Sequence, residues 1–407
     1  MNNDTHYIKA GWMIDGTGAP IQKNVLLTVK NGTIIDISSL NSDDLPHSST
    51  ITDLSSCTIL PPLVDSHVHM ALSSSTDPEV RKLQLSASYA DRRPRIAEHV
   101  HYLFSHGVLA VRDGGDLLAH VLRYNKETIA GKIKKDPVIL KTTTQAWHQK
   151  GRYGSFLGKS PAEGESLTTA AAKEIDSVDH IKLINSGLNS TTEFGKETAA
   201  QFSFEEIEDL VSRMKKKNKK LMVHANGHTP VQEAVDAGCH SIEHGFFMGD
   251  ENLKRMADKQ TFWVPTAVTM KTLLDNWEPG TRVGNRDVIS KTLESQLEQM
   301  SKAKAYGVRL ALGTDAGCPG ILHGESVVEE LRLFMTAGYS LVEAVQCASC
   351  NGAALLDVDT IGPIAKGRPA HFIVARATPA MLPRKLSYLE AIYIDGKTCD
   401  RAHFNKP

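Results

Sequence analysis

An α/β architecture, a (β/α)₈ TIM-like barrel with a small β-sandwich built from both chain ends, is predicted by three observations. Short β-rich runs and turn signals fill residues 1–60 and return after residue 358, without helical periodicity. From 61 to 357 the pattern becomes strands alternating with amphipathic helices, the rhythm of βα units around a parallel sheet. Eight strand candidates fall in that stretch, at 63–69, 108–112, 138–142, 180–184, 221–224, 241–244, 262–266 and 309–313, the number such a barrel needs. The expected division is therefore 1–60 and 358–407 for the two parts of the sandwich and 61–357 for the barrel.

The elements follow in order. Runs at 25–29, 33–37 and 57–60 are punctuated by Asp15-Gly16-Thr17-Gly18 and Asn31-Gly32, both turn signals. Leu63 and Val64 then lead from the pair Pro61-Pro62 into His67-Val68-His69. Residues i and i+2 of a strand share a face, so two imidazoles stand side by side, a common start to a Zn²⁺ site. In a chain with 17 His the pair alone is a weak signal. Ser203 and Glu206 form a capping box ahead of the apolar stripe Phe204, Ile207, Leu210, Val211 and Met214. Thr229-Pro230 and Gly238 bracket the next helix, and Ser340 and Glu343 repeat the capping box. β-like runs return at 372–375 and 391–394, with turns at Lys366-Gly367 and Asp395-Gly396.

Composition narrows the class of partner. A hydrophobic content of 41% and a charged content of 23% are those of an ordinary globular protein. A net charge of −1 supplies no field for nucleic acid or an anionic membrane, and the basic run Lys215–Lys220 is a solvated helix end. No apolar run reaches the length of a membrane span, and the polar start at residues 1–4 is unlike a signal peptide, so a cytoplasmic location is expected. The six Cys are then expected to be reduced, with Cys347-Ala348-Ser349-Cys350 a packing feature of a helix. A small-molecule substrate is the expected partner, and self-association into a homo-oligomer stays open.

In a (β/α)₈ barrel, chemistry collects at the carboxyl ends of the strands. His67 and His69 end the first predicted strand, Lys182 lies in the fourth, His224 and His244 end the fifth and sixth, and Asp315 follows the eighth. Singly, each has a plainer use: His224 as a hydrogen-bonded core histidine, Lys182 as a surface charge, Asp315 as an N-cap. Six at one end of one barrel point to metal.

This set resembles the binuclear site of the amidohydrolase superfamily. Trp12–Gly18, Leu312-Gly313-Thr314-Asp315-Ala316-Gly317, Asn351-Gly352-Ala353 and Ile361-Gly362-Pro363-Ile364 are similar to its imidazolonepropionase-like and Xaa-Pro dipeptidase-like branch. That branch usually has an acidic residue where His371 stands. The resemblance implies two divalent metal ions, with Zn²⁺ the expected metal. It implies that His67, His69 and Asp315 hold one and His224 and His244 the other, with a CO₂-derived carbamate on Lys182 and a hydroxide bridging them. Asp315 is then the catalytic proton shuttle between the hydroxide and the leaving nitrogen.

Residues 145–154 form a Gly-punctuated loop expected on the catalytic face. By the same resemblance His148 would polarise the substrate carbonyl, with Arg152 and Tyr153 as carboxylate binders. His228, just past His224, is a further candidate substrate contact. The loop departs from the Gly-Gly-His pattern of the dipeptidases. The predicted reaction is hydrolysis of an amide or cyclic C–N bond in an N-acyl amino acid, dipeptide or cyclic amide. A lactonase, esterase or phosphotriesterase would use the same ligands, but phosphotriesterases and lactonases ordinarily lack the flanking sandwich. A mononuclear deaminase usually carries a Glu soon after the fifth-strand His, where this chain has Ala225-Asn226-Gly227-His228. An inactive binding homologue would typically have lost ligands, and all six are present.

Overall fold

The computed structural model describes residues 5–39, 51–134, 137–280 and 284–399; the polar opening at 1–4 lies outside them. Near the N-terminus are β1 (Thr5–Met13), β2 (Gln22–Lys30), β3 (Thr33–Ser39) and β4 (Ile51–Leu60). The body of the chain supplies β5 (Leu63–Val68), β6 (Val108–Asp113), β7 (Ile139–Lys141), β8 (Ala146–Trp147), β9 (Gly158–Lys159), β10 (His180–Ile184), β11 (Lys220–Ala225), β12 (Ser241–His244) and β13 (Phe262–Val264). The last strands are β14 (Phe372–Ala375), β15 (Ala391–Ile394) and β16 (Lys397–Thr398).

Both ends of the chain meet in one seven-stranded sheet, ordered β16-β15-β14-β4-β1-β2-β3, in which β1 and β4 are parallel and the other pairs antiparallel. The expected two-layer sandwich is thus a single mixed sheet that bends back on itself. Ile34 of β3 donates to Arg368 O at 2.9 Å and accepts from Gly367 N at 2.7 Å, just before β14. Inside the curl, Ile8, Leu27, Ile34, Ile59, Phe372 and Val374 form their own core. His371, at the position where an acidic residue was expected, accepts from Asp395 N at 3.0 Å in this sheet.

The central strands are parallel. They form a six-stranded sheet, β13-β12-β11-β10-β8-β9, and a three-stranded sheet, β5-β6-β7. β5, β6 and β10 are buried along their whole length, as strands covered on both faces must be. The third strand, predicted at 138–142, is β7, and the loop expected at 145–154 opens with a further short strand, β8. The eighth, expected at 309–313, is no regular strand: it keeps one bridge, Leu310 to Trp263. One of its amides is diverted: Leu312 N donates to Cys347 O at 3.0 Å. A Cβ on Gly313 would stand 2.4 Å from Val264 Cγ1 and 2.9 Å from His67 Cβ, so the chain threads between its neighbours too closely for a regular ladder. Backbone bonds still link it on both sides: Trp263 N donates to Arg309 O and Trp263 O accepts from Ala311 N, both at 2.9 Å, and Ser66 N donates to Leu312 O at 2.8 Å.

Two of the three predicted helix starts obey their signals, while the helix expected from Thr229-Pro230 begins at His228 with Gly227 as its N-cap. Ser203–Glu206 and Ser340–Glu343 both form complete capping boxes, and Ile207, Leu210, Val211 and Met214 are buried against the strands. Cys347–Asn351 is a π-helical turn with Cys347 buried, and all six cysteines are free thiols. Among the described residues no helix is long and apolar enough to cross a membrane.

Candidate metal centre

Where the strands end, buried side chains position the groups that face the centre. Asp65 in β5 accepts from Thr314 N at 2.9 Å and Thr314 Oγ1 at 2.6 Å, tying the first strand to the segment that carries Asp315. Burial pushes the Asp65 carboxyl up to about 7 against the pull of those bonds. Glu243 in β12 stands behind His67: its Oε2 is 2.9 Å from His67 Nδ1, and its Oε1 accepts from Arg112 Nη2 at 2.7 Å and from Ser241 Oγ. His69 Nδ1 donates to Gly115 O at 3.2 Å, and His224 Nε2 to Gly187 O at 3.2 Å. An imidazole whose N–H is taken from behind offers its other nitrogen as a lone pair. His67 and His69 therefore present Nε2, and His224 presents Nδ1. His244 Nδ1 pairs with Thr266 Oγ1 at 2.7 Å.

Three of the predicted ligands converge. One ligand atom from each of His67, His69 and Asp315 lies within 4.8 Å of the others. Asp315 Oδ1 is 3.5 Å from His67 Nε2 and 3.3 Å from His69 Nε2, yet it is buried with no hydrogen-bond partner. The remaining ligands flank them: the His244 ring lies 5.0 Å from His67 and 4.6 Å from His224, and Lys182 Nζ is 3.4 Å from His67 Nε2. Two carriers sit on left-handed backbone that L-residues rarely adopt, His244 at φ 67° and Asp315 at φ 62°.

The electrostatics fit a cation. Burial, aided by Lys182, holds His67 well below the usual imidazole range and His224 down at about 4; burial, aided by His224, holds His244 at about 3. Burial tends to raise Asp315, and positive charge on the side of His67, His69 and His244 pulls the carboxyl down; with those imidazoles neutral, a bound cation would supply that charge. Burial also lowers Lys182 to about 8, opposed by Glu243 and Asp315. An unpartnered carboxylate oxygen facing imidazole lone pairs is repulsive unless a positive ion lies between them. His, His and carboxylate are a suitable donor set for Zn²⁺ or a similar divalent ion.

These groups form the floor of a cavity of about 300 Å³, whose wall includes Leu72, Phe156, Ile184, Leu188, Phe246 and Ile321. Of the predicted substrate contacts, Tyr153 lines it, with its ring 5.5 Å from His224; Asn226, two residues past His224, lines it as well. The structure places the others elsewhere. His148 is drawn toward β9 by its backbone bond to Lys159 O at 3.1 Å, and its Nδ1 lies 2.8 Å from Gln149 O. Arg152 turns outward to donate to Ala199 O at 2.9 Å. His228 opens the helix His228–Asp236, its backbone N bonded to Glu197 Oε2 at 3.0 Å and its ring half-exposed near Glu251. Sequence reasoning missed Glu243, Asp65 and Arg81. A carboxylate inside the apolar β12 pattern, one residue before His244, was a usable signal for Glu243; nothing local marked Arg81.

Parallel strands bring His and Asp together at the floor of an apolar cavity, a candidate metal site of the kind hydrolytic enzymes use. The amidohydrolase family model matches residues 58–399, and the chain belongs to that family, hydrolases of carbon–nitrogen bonds. The ochratoxinase of Aspergillus niger is 24% identical over 398 residues, covering 91% of this chain and 81% of its own. Its solved structure superposes with a TM-score of 0.78 at 20% identity, covering 98% and 96% of the two chains. A Xaa-Pro dipeptidase with methionine bound in its active site gives 0.79 at 24% identity, covering 98% and 100%. Phenylurea hydrolase B gives 0.77 at 17% identity, covering 99% and 100%. At these identities the structural likenesses speak for the fold.

Proposed function

We propose that the chain is a metal-dependent hydrolase of an amide or cyclic C–N bond in a small substrate with a substantial apolar part. In this reading the eight strand segments are staves of one (β/α)₈ barrel, closed through the backbone bonds of residues 309–315 to Trp263 on one side and to Ser66 and His67 on the other, and the curled end sheet is a separate unit. The observation that carries the function is the orphaned Asp315 Oδ1 facing His67 Nε2 and His69 Nε2. Those three residues would hold one divalent ion, and His224 and His244 a second, with Lys182 between them. When bound, the ions supply Lewis acidity and lower the pKa of a water toward neutrality.

The chain's own groups supply the rest. A Lys182 amine lowered to about 8 has an appreciable neutral fraction near neutral pH. That neutral nitrogen adds to carbon dioxide, forming an N–C bond and releasing a proton, and the resulting carbamate replaces a cation by an anion beside the ligands. Asp315, ionised and buried, takes a proton from the attacking water and passes it to the leaving nitrogen. The apolar wall excludes bulk water and receives the substrate's body. Relatives named for a dipeptide, an ochratoxin and a phenylurea support a common floor with a variable wall.

Metal analysis of protein purified without chelator, paired with Lys182→Ala, tests this reading. About two divalent ions per chain are expected, with loss of metal and turnover in the variant and partial rescue by short carboxylic acids. A wild-type value near one, unchanged by bicarbonate and excess metal, reduces the site to a mononuclear one. Full metal content and turnover in Lys182→Ala make the lysine a bystander.

A further inference from the structure

We propose that Arg81 is the receptor for a carboxylate on the substrate, so that the enzyme's substrates are amides with an apolar body and an acidic end. The inference rests on the hydrolytic reading above and names the substrate class of that site. Arg81 lies in the helix Pro78–Ser86, whose N-cap Asp77 accepts from Glu79 N and Val80 N, and its side chain lines the cavity. The other cationic side chain in that wall is Lys182, at the floor among the imidazoles.

Arg81 is fixed without being neutralised. Its Nη1 donates to three backbone carbonyls, Ser73 O at 3.2 Å, Ser75 O at 3.3 Å and Gly317 O at 3.2 Å. No carboxylate among the described residues lies within ion-pair distance of it, in contrast to Arg112, which is held by Glu243. Carbonyls hold a guanidinium in place but leave its charge, and its Nε and Nη2 have no acceptor among the described residues. A planar fork with one edge anchored and the other free suits a carboxylate. The anchor also sets the distance to the chemistry. Gly317 is two residues beyond Asp315, and a Cβ there would stand 2.5 Å from His69 O, so this loop is pressed against the metal-binding strand end. The guanidinium is thus tied to the segment that carries the proton shuttle, an arrangement that would set the span between a substrate's carboxylate and its scissile bond.

The test compares N-benzoyl-L-phenylalanine with N-benzoyl-2-phenylethylamine, the same amide without its carboxylate. Binding to metal-loaded protein is measured by calorimetry and cleavage by amine release, for wild type, Arg81→Met and Arg81→Gln. Gln keeps a donor for the loop carbonyls while removing the charge, and thermal melts establish which variants are folded. Wild type is expected to bind the acid at least 10-fold more tightly than the neutral amide. In both variants the ratio of acid to neutral affinity should fall about 10- to 100-fold, whatever common loss the released loop adds to both compounds. No preference in wild type overturns the proposal. So does a preference that survives in both variants, which would assign the carboxylate to the metal, or an equal loss on both compounds, which would make Arg81 a loop anchor. If the acid binds through Arg81 but neither amide is cleaved, the carboxylate site stands and the hydrolytic reading fails for this bond type.

Discussion

At the floor of the cavity His67, His69 and His224 are each held from behind, by Glu243, Gly115 O and Gly187 O, whereas Leu72, Phe156, Leu188 and Ile321 form the wall by van der Waals contact alone. Buried hydrogen bonds fix positions, and breaking one strands a polar group at a cost of about 1–3 kcal/mol. Apolar contacts have no direction, so a wall of this kind is reshaped by substitution with smaller penalties. One cavity therefore joins a part that resists change to a part that invites it.

The strongest way to break that contrast is at the floor. Asp315→Asn should lower kcat by about 10²- to 10⁴-fold in steady-state assays while KM stays within a small factor. A variant with raised KM and intact kcat would move Asp315 from the chemistry to the wall. One layer back, Glu243→Gln should weaken metal binding about 10- to 100-fold in chelator competition, because His67 loses the acceptor that orients it and Arg112 loses its charge partner. Unchanged affinity would mean that the support behind His67 is dispensable.

Smaller effects sharpen the comparison. His180 beneath the floor bonds Asp113 O at 3.0 Å through Nε2, and burial, aided by Arg112, lowers it to about 3. Its folded-state pKa lies below its unfolded value, so the unfolded chain gains the proton first as pH falls. Stability should then decline between about pH 6.5 and about 3, with this one group contributing up to about 1.4 kcal/mol per pH unit. Urea titrations across that range should show a shallower decline in His180→Asn. Smallest of all, Arg152→Met should change kcat/KM less than about 2-fold on anionic and neutral substrates alike, since its guanidinium faces Ala199 O outside the cavity.

The same contrast governs what could be read in advance. The placement of His67, His69, Lys182, His224, His244 and Asp315 around one cavity was legible because strand periodicity fixes a residue's face and parallel strands end on one side. Strand limits at 180–184 and 241–244 agree with β10 and β12 for the same reason. The eighth strand was not legible, because Gly313 is squeezed by His67 and Val264, residues far away in the sequence. The wall was least legible. His148 is turned by Lys159 and Arg152 by Ala199, while Arg81 reaches the cavity from a helix whose local pattern says nothing about what lies across from it.

His244 and Asp315 stand on left-handed backbone, a conformation costing each about 1–3 kcal/mol that glycine or asparagine would largely avoid. Function and durability are thus set against each other at two positions. A lineage selected for heat resistance alone would drift toward glycine there, becoming sturdier as it falls silent. Directed evolution of this enzyme will keep its chemistry only if every round of stabilisation is also screened for turnover.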